Sequence, residues 1–249
     1  MAQIDEILVI TTPQDKAAFQ NLLKDGKRWG ITIKYAVQPS PDGLAQALII
    51  AEDFLDGHPS ALVLGDNLFF GESFSLAIKR VTSNTIGATV FGYHVKNPSE
   101  YGVVGFDKNM KANSLEEKPK NPASNYAITG LYFYDNNASQ YAKQITPSAR
   151  GELEITALNQ IYLDRKALTV ELLDTGVTWL DTGTHRSLLQ AAQFVSVIEE
   201  RQGRRICCPE VISYRNGWLT SEQLIKLAKP LEKSGYGKYL LSVATHETV

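Results

Sequence analysis

The chain has 249 residues, with 25 Lys and Arg set against 27 Asp and Glu and a formal net charge of −2. Its 43% hydrophobic and 21% charged content is that of a globular protein long enough to bury a core without disulfide staples. The charge balance argues against a nucleic-acid polymer as partner, and no apolar run reaches the roughly 18 residues of a membrane-spanning helix. The two cysteines, Cys207 and Cys208, are neighbours, and no Cys/His pair has zinc spacing. Acidic Asp5 and Glu6 precede the first short apolar run, so no secretory signal is read there and a cytoplasmic protein is expected.

Residues 7–10 read as a buried strand. Thr12-Pro13-Gln14-Asp15 then supplies a capping hydroxyl, a proline for the first helical position and a first-turn acid. Phe19, Leu22 and Leu23 form the apolar face of that helix, and Gly26 closes it. Ile31, Ile33, Tyr35 and Val37 alternate as a strand. The loop Gln38-Pro39-Ser40-Pro41-Asp42-Gly43 leads into a helix over 44–54, and residues 61–64 form a buried strand broken by Gly65-Asp66-Asn67. Strand, helix, strand, helix, strand at this spacing predicts a parallel sheet with helices on its faces. After about residue 86 the rhythm changes. Strands are expected over 88–95, 101–106, 114–117 and 126–134, with a turn at Asp107-Lys108-Asn109 and antiparallel or mixed pairing. Helices are expected over 136–144, 152–163, 184–201 and 221–228, and near 236–242. With no internal repeat and no Gly/Ser linker, residues 1–249 read as one α/β domain with a helical C-terminal extension over about 203–249.

Gly65-Asp66-Asn67 lies where a strand ends, the edge at which open α/β sheets bind ligands. A carboxylate there suits Mg2+, which takes one or two carboxylates plus phosphate oxygens; an Asx turn or helix cap is the plainer reading. Asp181, in Trp179-Leu180-Asp181-Thr182-Gly183-Thr184, is a second acid that could share such an ion while Thr184 caps the following helix. A single Asp-Thr-Gly does not make an aspartic-protease pair. In Glu116-Glu117-Lys118-Pro119, the proline biases Lys118 toward extended backbone, and an ammonium so directed suits a phosphate. A solvated strand end is the alternative. Glu117 and Lys118 face opposite sides of an ideal strand, so joint contact with one ligand needs a twist or bulge. Arg150, in Ser148-Ala149-Arg150-Gly151-Glu152-Leu153-Glu154, reads as opening a helix, where a guanidinium and free N–H groups make an anion site; a surface arginine is the alternative. Gly102, in Tyr101-Gly102-Val103-Val104, lets backbone approach a ligand or sits at a bulge.

These segments, in this order, together with residues 38–47 and Tyr126-Ala127-Ile128-Thr129-Gly130-Leu131-Tyr132, resemble the glucose-1-phosphate thymidylyltransferases of the sugar-phosphate nucleotidyltransferase family. The resemblance runs from about residue 4 to about residue 243. It implies a Rossmann-like mixed, largely parallel sheet with flanking helices, the nucleotide-diphospho-sugar transferase-like fold. It implies nucleotidyl transfer from dTTP to glucose-1-phosphate, giving dTDP-glucose and pyrophosphate on the route to dTDP-rhamnose. By resemblance, Asp66 and Asp181 hold Mg2+. Gln38 and Gly43 face the thymine, with Asp66 also at the nucleotide. Lys118 and Arg150 hold the sugar phosphate, and Gly102, Glu117 and Ile128 line the glucose pocket. Lys118, Asp66 and Asp181 form the catalytic set, and a homotetramer is implied. The family opens with a strand and a Gly-Gly-x-Gly-Thr-Arg signature that does not occur in this sequence. A sheet lacking its first strand, with reduced turnover, is therefore expected. That departure keeps two other readings open: a non-catalytic sugar-nucleotide-binding remnant, and one half of a split enzyme.

Overall fold

The computed structural model describes residues 2–83 and 86–245. In chain order they form β1 (Glu6–Thr11), α1 (Lys16–Leu23), β2 (Thr32–Val37), α2 (Gln46–Ile50), α3 (Glu52–Leu55), β3 (Ser60–Val63), β4 (Asn67–Phe70) and α4 (Glu72–Thr82). Then come β5 (Ala88–His94), β6 (Gly102–Phe106), β7 (Ala112–Glu117), β8 (Tyr126–Tyr134), α5 (Ala138–Ala142), α6 (Ile155–Asp164), β9 (Leu168–Leu172) and β10 (Thr178–Asp181). The last elements are α7 (His185–Gln202), α8 (Pro209–Arg215), α9 (Ser221–Ala228) and α10 (Gly235–Ala244). The chain divides into two compact units, one built on Gln38–Ser187 with Ala2, the other on Gln3–Val37 with the residues from Leu188 onward.

In the first unit a six-stranded sheet runs β7-β6-β8-β5-β9, with β3 also on β8. β5 follows one edge of β8, while β3 and β6 share the other, and all three are antiparallel to it. The expected mixed sheet is present, but within this sheet only β5–β9 is parallel. β3 and β5 do run the same way, as strands joined through helical segments should, yet β8 inserts between them. Local patterning shows strand direction in such a segment and is blind to a strand that arrives later in the chain. Side chains alternate across the sheet. Val90, Ile128, Tyr132 and Tyr134 enter one core with Leu48 of α2, Ala138 of α5, and Leu158 and Tyr162 of α6. Phe91 and Leu131 face the other way, against Phe74, Ala77, Ile78 and Val81 of α4. Helices therefore cover both faces, as an α/β layering requires. The expected helix over 44–54 is divided into α2 and α3, which meet at Ala51. The strand expected to be buried over 61–64 is β3, half-buried, with Val63 58% exposed. Elements α4, β4, β9, β10 and α8 are additional to those expected.

In the second unit β1 and β2 pair in parallel, from Glu6 opposite Thr32 to Thr11 opposite Val37. The first helix begins later than its proline suggests, because Thr12 and Asp15 close a turn in which Thr12 Oγ1 accepts from Asp15 N (3.2 Å). No residue of α1 is buried, and Leu22 is 65% exposed, so the expected apolar face stays uncovered. Spacing shows that a helix is amphipathic and not that a partner lies over it. Around Val211, Leu224, Ala228, Leu240 and Val243, helices α8, α9 and α10 form their own core. No described helix is long and apolar enough to cross a membrane.

Candidate active site

Asp66 follows β3 and precedes β4, and β4 pairs antiparallel with β10 so that Asn67 stands opposite Asp181. The two acids, 115 positions apart in the chain, are brought together by this register. Thr182 ties the loops together by donating both its N–H (2.9 Å) and its hydroxyl (2.8 Å) to the Asp66 carbonyl. The carboxylates converge: a Cβ placed on Gly183 would stand 3.1 Å from Asp181 Oδ1 and 3.5 Å from Asp66 Oδ2. Asp181 Oδ1 also accepts from Gly183 N (2.9 Å). Among the described residues no third His, Cys, Asp or Glu completes a metal-holding group. Two carboxylates with open positions beside them still fit Mg2+, which keeps waters and phosphate oxygens as its other ligands. Tyr101 lies near this point; burial, and then the charges of Asp181 and Glu100, push its phenol above the ordinary value.

A second cluster forms where β6 and β7 end. Gly102 stands directly opposite Glu117. Glu117 Oε2 accepts from Thr156 Oγ1 of α6 (2.6 Å), and its Oε1 lies 3.6 Å from Arg150. Arg150 also makes a close pair with Glu154, through Nε (3.1 Å) and Nη2 (2.8 and 2.9 Å), and Ser148 Oγ donates to the same Glu154 (2.8 Å). Those hydrogen bonds to Glu154 raise the guanidinium pKa further. Two expectations are corrected here. Arg150 does not open a helix: α6 starts at Ile155, and Arg150 sits in the loop before it, held by carboxylates. Lys118 is not extended either, for its φ is +45°. Its N–H donates to Tyr101 O (3.0 Å), which closes the β6–β7 pairing, and the chain turns there into buried Pro119. The backbone thus leaves the strand path at Lys118 itself. The lysine is exposed. Ile128 is 7% exposed, and its side chain belongs to the core described above, not to an open pocket.

The loop before α2 is organised from within. Gln38 Nε2 donates to Gly43 O (3.1 Å) and to Gln46 Oε1 (2.8 Å). Asp42 accepts from Ser40 and Gln46, which together hold its carboxyl below the ordinary 3.8. Gly43 has φ +104°, and any Cβ there would collide with the Leu153 backbone. Leu153 N donates to Asp42 O (2.6 Å), and Ala45 N donates to Leu153 O (3.0 Å). Gln38 and Gly43 are therefore fixed to the same segment that carries Arg150. Asn67, Gln46, Thr156 and Glu154 hydrogen-bond to the candidate residues or, for Glu154, pair with Arg150, and sequence reasoning did not single them out. Only Asn67 carried a signal, as a polar neighbour of Asp66 at a strand end.

Comparison with known proteins shows the family. The family model described as Nucleotidyl transferase matches residues 1–197, and the chain belongs to that family. Within it, the chain belongs with the glucose-1-phosphate thymidylyltransferases. It is 54% identical to the one from Xanthomonas campestris pv. campestris (strain B100) over 249 residues, all of this chain and 84% of that protein. It is 55% identical to the one from Neisseria meningitidis serogroup A over 241 residues, 97% of this chain and 84% of that protein. A solved structure from Bacillus anthracis, described as a glucose-1-phosphate thymidylyltransferase in complex with a sucrose, superposes with TM-score 0.71 at 37% identity, covering 78% of this chain and 77% of that one. A UDP-glucose pyrophosphorylase complexed with UDP-glucose shares the fold, with TM-score 0.68 at 19% identity over 79% of this chain and 82% of that one.

Proposed function

We propose that this chain transfers a nucleotidyl group from dTTP to glucose-1-phosphate, forming dTDP-glucose and releasing pyrophosphate. The observation that carries the reading is the convergence of Asp66 and Asp181 on one point. The names of the relatives support the reaction and the sugar phosphate. Asp66 and Asp181 are the residues that would hold Mg2+, whose chemistry when bound is to offset charge on phosphate oxygens. Lys118 and Arg150 are the cations for the sugar phosphate. Arg150 exchanges the carboxylate of Glu154 for a phosphate, one charge-assisted fork for another. Glu117, oriented by Thr156, accepts sugar hydroxyl hydrogens; both side chains pack over Gly102, where a Cβ would stand 3.2 Å from Thr156 Oγ1 and 3.3 Å from Glu117 Oε2. At the other end Gln38 commits Nε2 to Gly43 and Gln46, so its Oε1 is the atom left for a base. An imide N3–H, as in thymine, is the matching donor; cytosine presents an acceptor at that position. The protein's work is positioning and charge neutralisation for attack of the sugar-phosphate oxygen on the α-phosphorus. A cytoplasmic homotetramer serving dTDP-rhamnose synthesis completes the reading.

The test is pyrophosphate release from dTTP, glucose-1-phosphate and Mg2+ by the purified chain, with Asp181→Asn and Arg150→Ala beside it. Release that depends on glucose-1-phosphate and falls about 100-fold or more in Asp181→Asn supports the reading. Calorimetry with glucose-1-phosphate reads the sugar site separately, and Arg150→Ala is expected to weaken binding about tenfold to 100-fold. Activity indifferent to Asp181, or sugar-phosphate binding indifferent to Arg150, overturns it.

A further inference from the structure

Asn67 follows Asp66 and opens β4, directly opposite Asp181. Its side-chain oxygen accepts two hydrogen bonds, from Trp179 Nε1 (2.6 Å) and from Gly130 N (2.9 Å). Both partners are N–H groups that only donate, so the amide has one permitted orientation, with Oδ1 toward them and Nδ2 away. Nδ2 then donates to Asp66 Oδ1 at 2.8 Å. The amide occupies a notch that a glycine leaves open: a Cβ on Gly130 would stand 2.7 Å from Asn67 Cγ. Trp179 is itself packed between Tyr93 and Tyr101, with ring centroids 5.7 and 5.2 Å away. A fixed chain of contacts thus ends on one oxygen of Asp66. The other oxygen, Oδ2, is the one that lies near the point beside Gly183 that Asp181 also approaches.

We infer that Asn67 is a positioning residue for the metal-binding carboxylate. Locked by Trp179 and Gly130, it holds Asp66 Oδ1 and presents Oδ2 to the cation. The inference rests on the metal reading proposed above and adds the reason the carboxylate faces the cation before any ion arrives. An unrestrained Asp66 would lose rotamer freedom on binding the ion, and Asn67 removes that cost in the folded chain. Hydrogen-bond partners of metal ligands commonly set metal affinity by about 10–100-fold.

The experiment measures Mn2+ binding to the full chain by water-proton relaxation, with thermal melts alongside. The proteins are wild type, Asp181→Asn, Asn67→Ala and Trp179→Phe. Asn67→Ala is expected to fold and to bind Mn2+ about tenfold more weakly or worse. Trp179→Phe keeps Asn67 and both acids but removes one of the two donors that lock the amide, and is expected to weaken Mn2+ by a smaller factor. A folded Asn67→Ala with wild-type Mn2+ affinity overturns the inference. Should Asn67→Ala fail to fold, Trp179→Phe decides: folded with unchanged affinity, it overturns the inference as well. Asp181→Asn separates the two levels. Weak Mn2+ binding in Asp181→Asn beside full affinity in Asn67→Ala sinks the positioning role alone, whereas equal binding in wild type and Asp181→Asn sinks the metal reading beneath it.

Discussion

Lys118 follows β7 at φ +45°, a left-handed value that costs a residue with a Cβ about 1–3 kcal/mol. Glycine bears no such penalty, so Lys118→Gly is expected to raise stability by up to about 1 kcal/mol. The same change removes an ammonium from the proposed sugar-phosphate site and is expected to weaken glucose-1-phosphate binding. Denaturant unfolding and calorimetry on one protein sample check both halves; a destabilised variant removes the strain argument. Gly43 is the opposite case. Its φ of +104° and its contact with the Leu153 backbone leave no room for a methyl, so Gly43→Ala is expected to cost about 1–3 kcal/mol and to loosen Gln38. Nuclear magnetic resonance of the Gln38 side-chain amide reports the loosening, and an unchanged amide signal refutes it. At this scale the residue types of the site were legible, because acids, a lysine and an arginine stood at strand and loop ends. Their partners were not. Thr156 lies 39 positions from Glu117, and nothing local announces the pair.

Among elements, α9 has the bounds expected of it, Ser221–Ala228, and Thr220 and Gln223 form a capping box at its start. Thr220→Ala is expected to cost about 1 kcal/mol, visible as a lower melting temperature without loss of helix content. A melt identical to wild type would show that α9 is held by its core contacts alone. Long strands such as β8 were also legible, since nine residues rich in aromatic and apolar side chains leave few alternatives. The four-residue strands β4 and β10 were not. They are made by pairing across the chain, as the 112-position bond between Trp179 and Asn67 illustrates, and carry little pattern of their own. Inside β8, Tyr134 Oη donates to the buried Asn159 Oδ1 at 2.7 Å. Tyr134→Phe strands that acceptor and is expected to cost about 1–3 kcal/mol by chemical unfolding. A smaller loss would mean that Asn159 finds another donor.

At the scale of the molecule, the main core has an alkaline limit. Tyr132, Tyr134 and Tyr162 are held well above the ordinary tyrosine value of 10.0, chiefly because burial disfavours the phenolate. Nearby Glu117 adds to the effect at Tyr132, and the hydrogen bond to Asp135 adds to it at Tyr162. The sign follows from linkage. The folded state keeps these protons and the unfolded state gives them up, so their contribution is complete below pH 10.0 and is lost as pH rises from there toward the higher folded values. Absorbance at 295 nm is expected to show the three tyrosines ionising only together with unfolding. Reversible ionisation of all 11 tyrosines near pH 10 with the fold intact would contradict this.

By itself the sequence determined the helix-and-strand inventory wherever periodicity was long, the α/β layering, and the kinds of residues that carry chemistry. Those properties are local, written in spacing and side-chain type. Tertiary structure decided which strands became neighbours, because β8 reaches β3 and β5 only once the chain has folded back. It decided that Asp66 and Asp181 face one point, through the β4–β10 register and the Thr182 bonds. It set Lys118 against its own proline's preference, since closing β6 on β7 outweighs a local bias. It aimed Asp66 through an asparagine whose orientation depends on a tryptophan 112 positions away, a distance over which no sequence pattern acts.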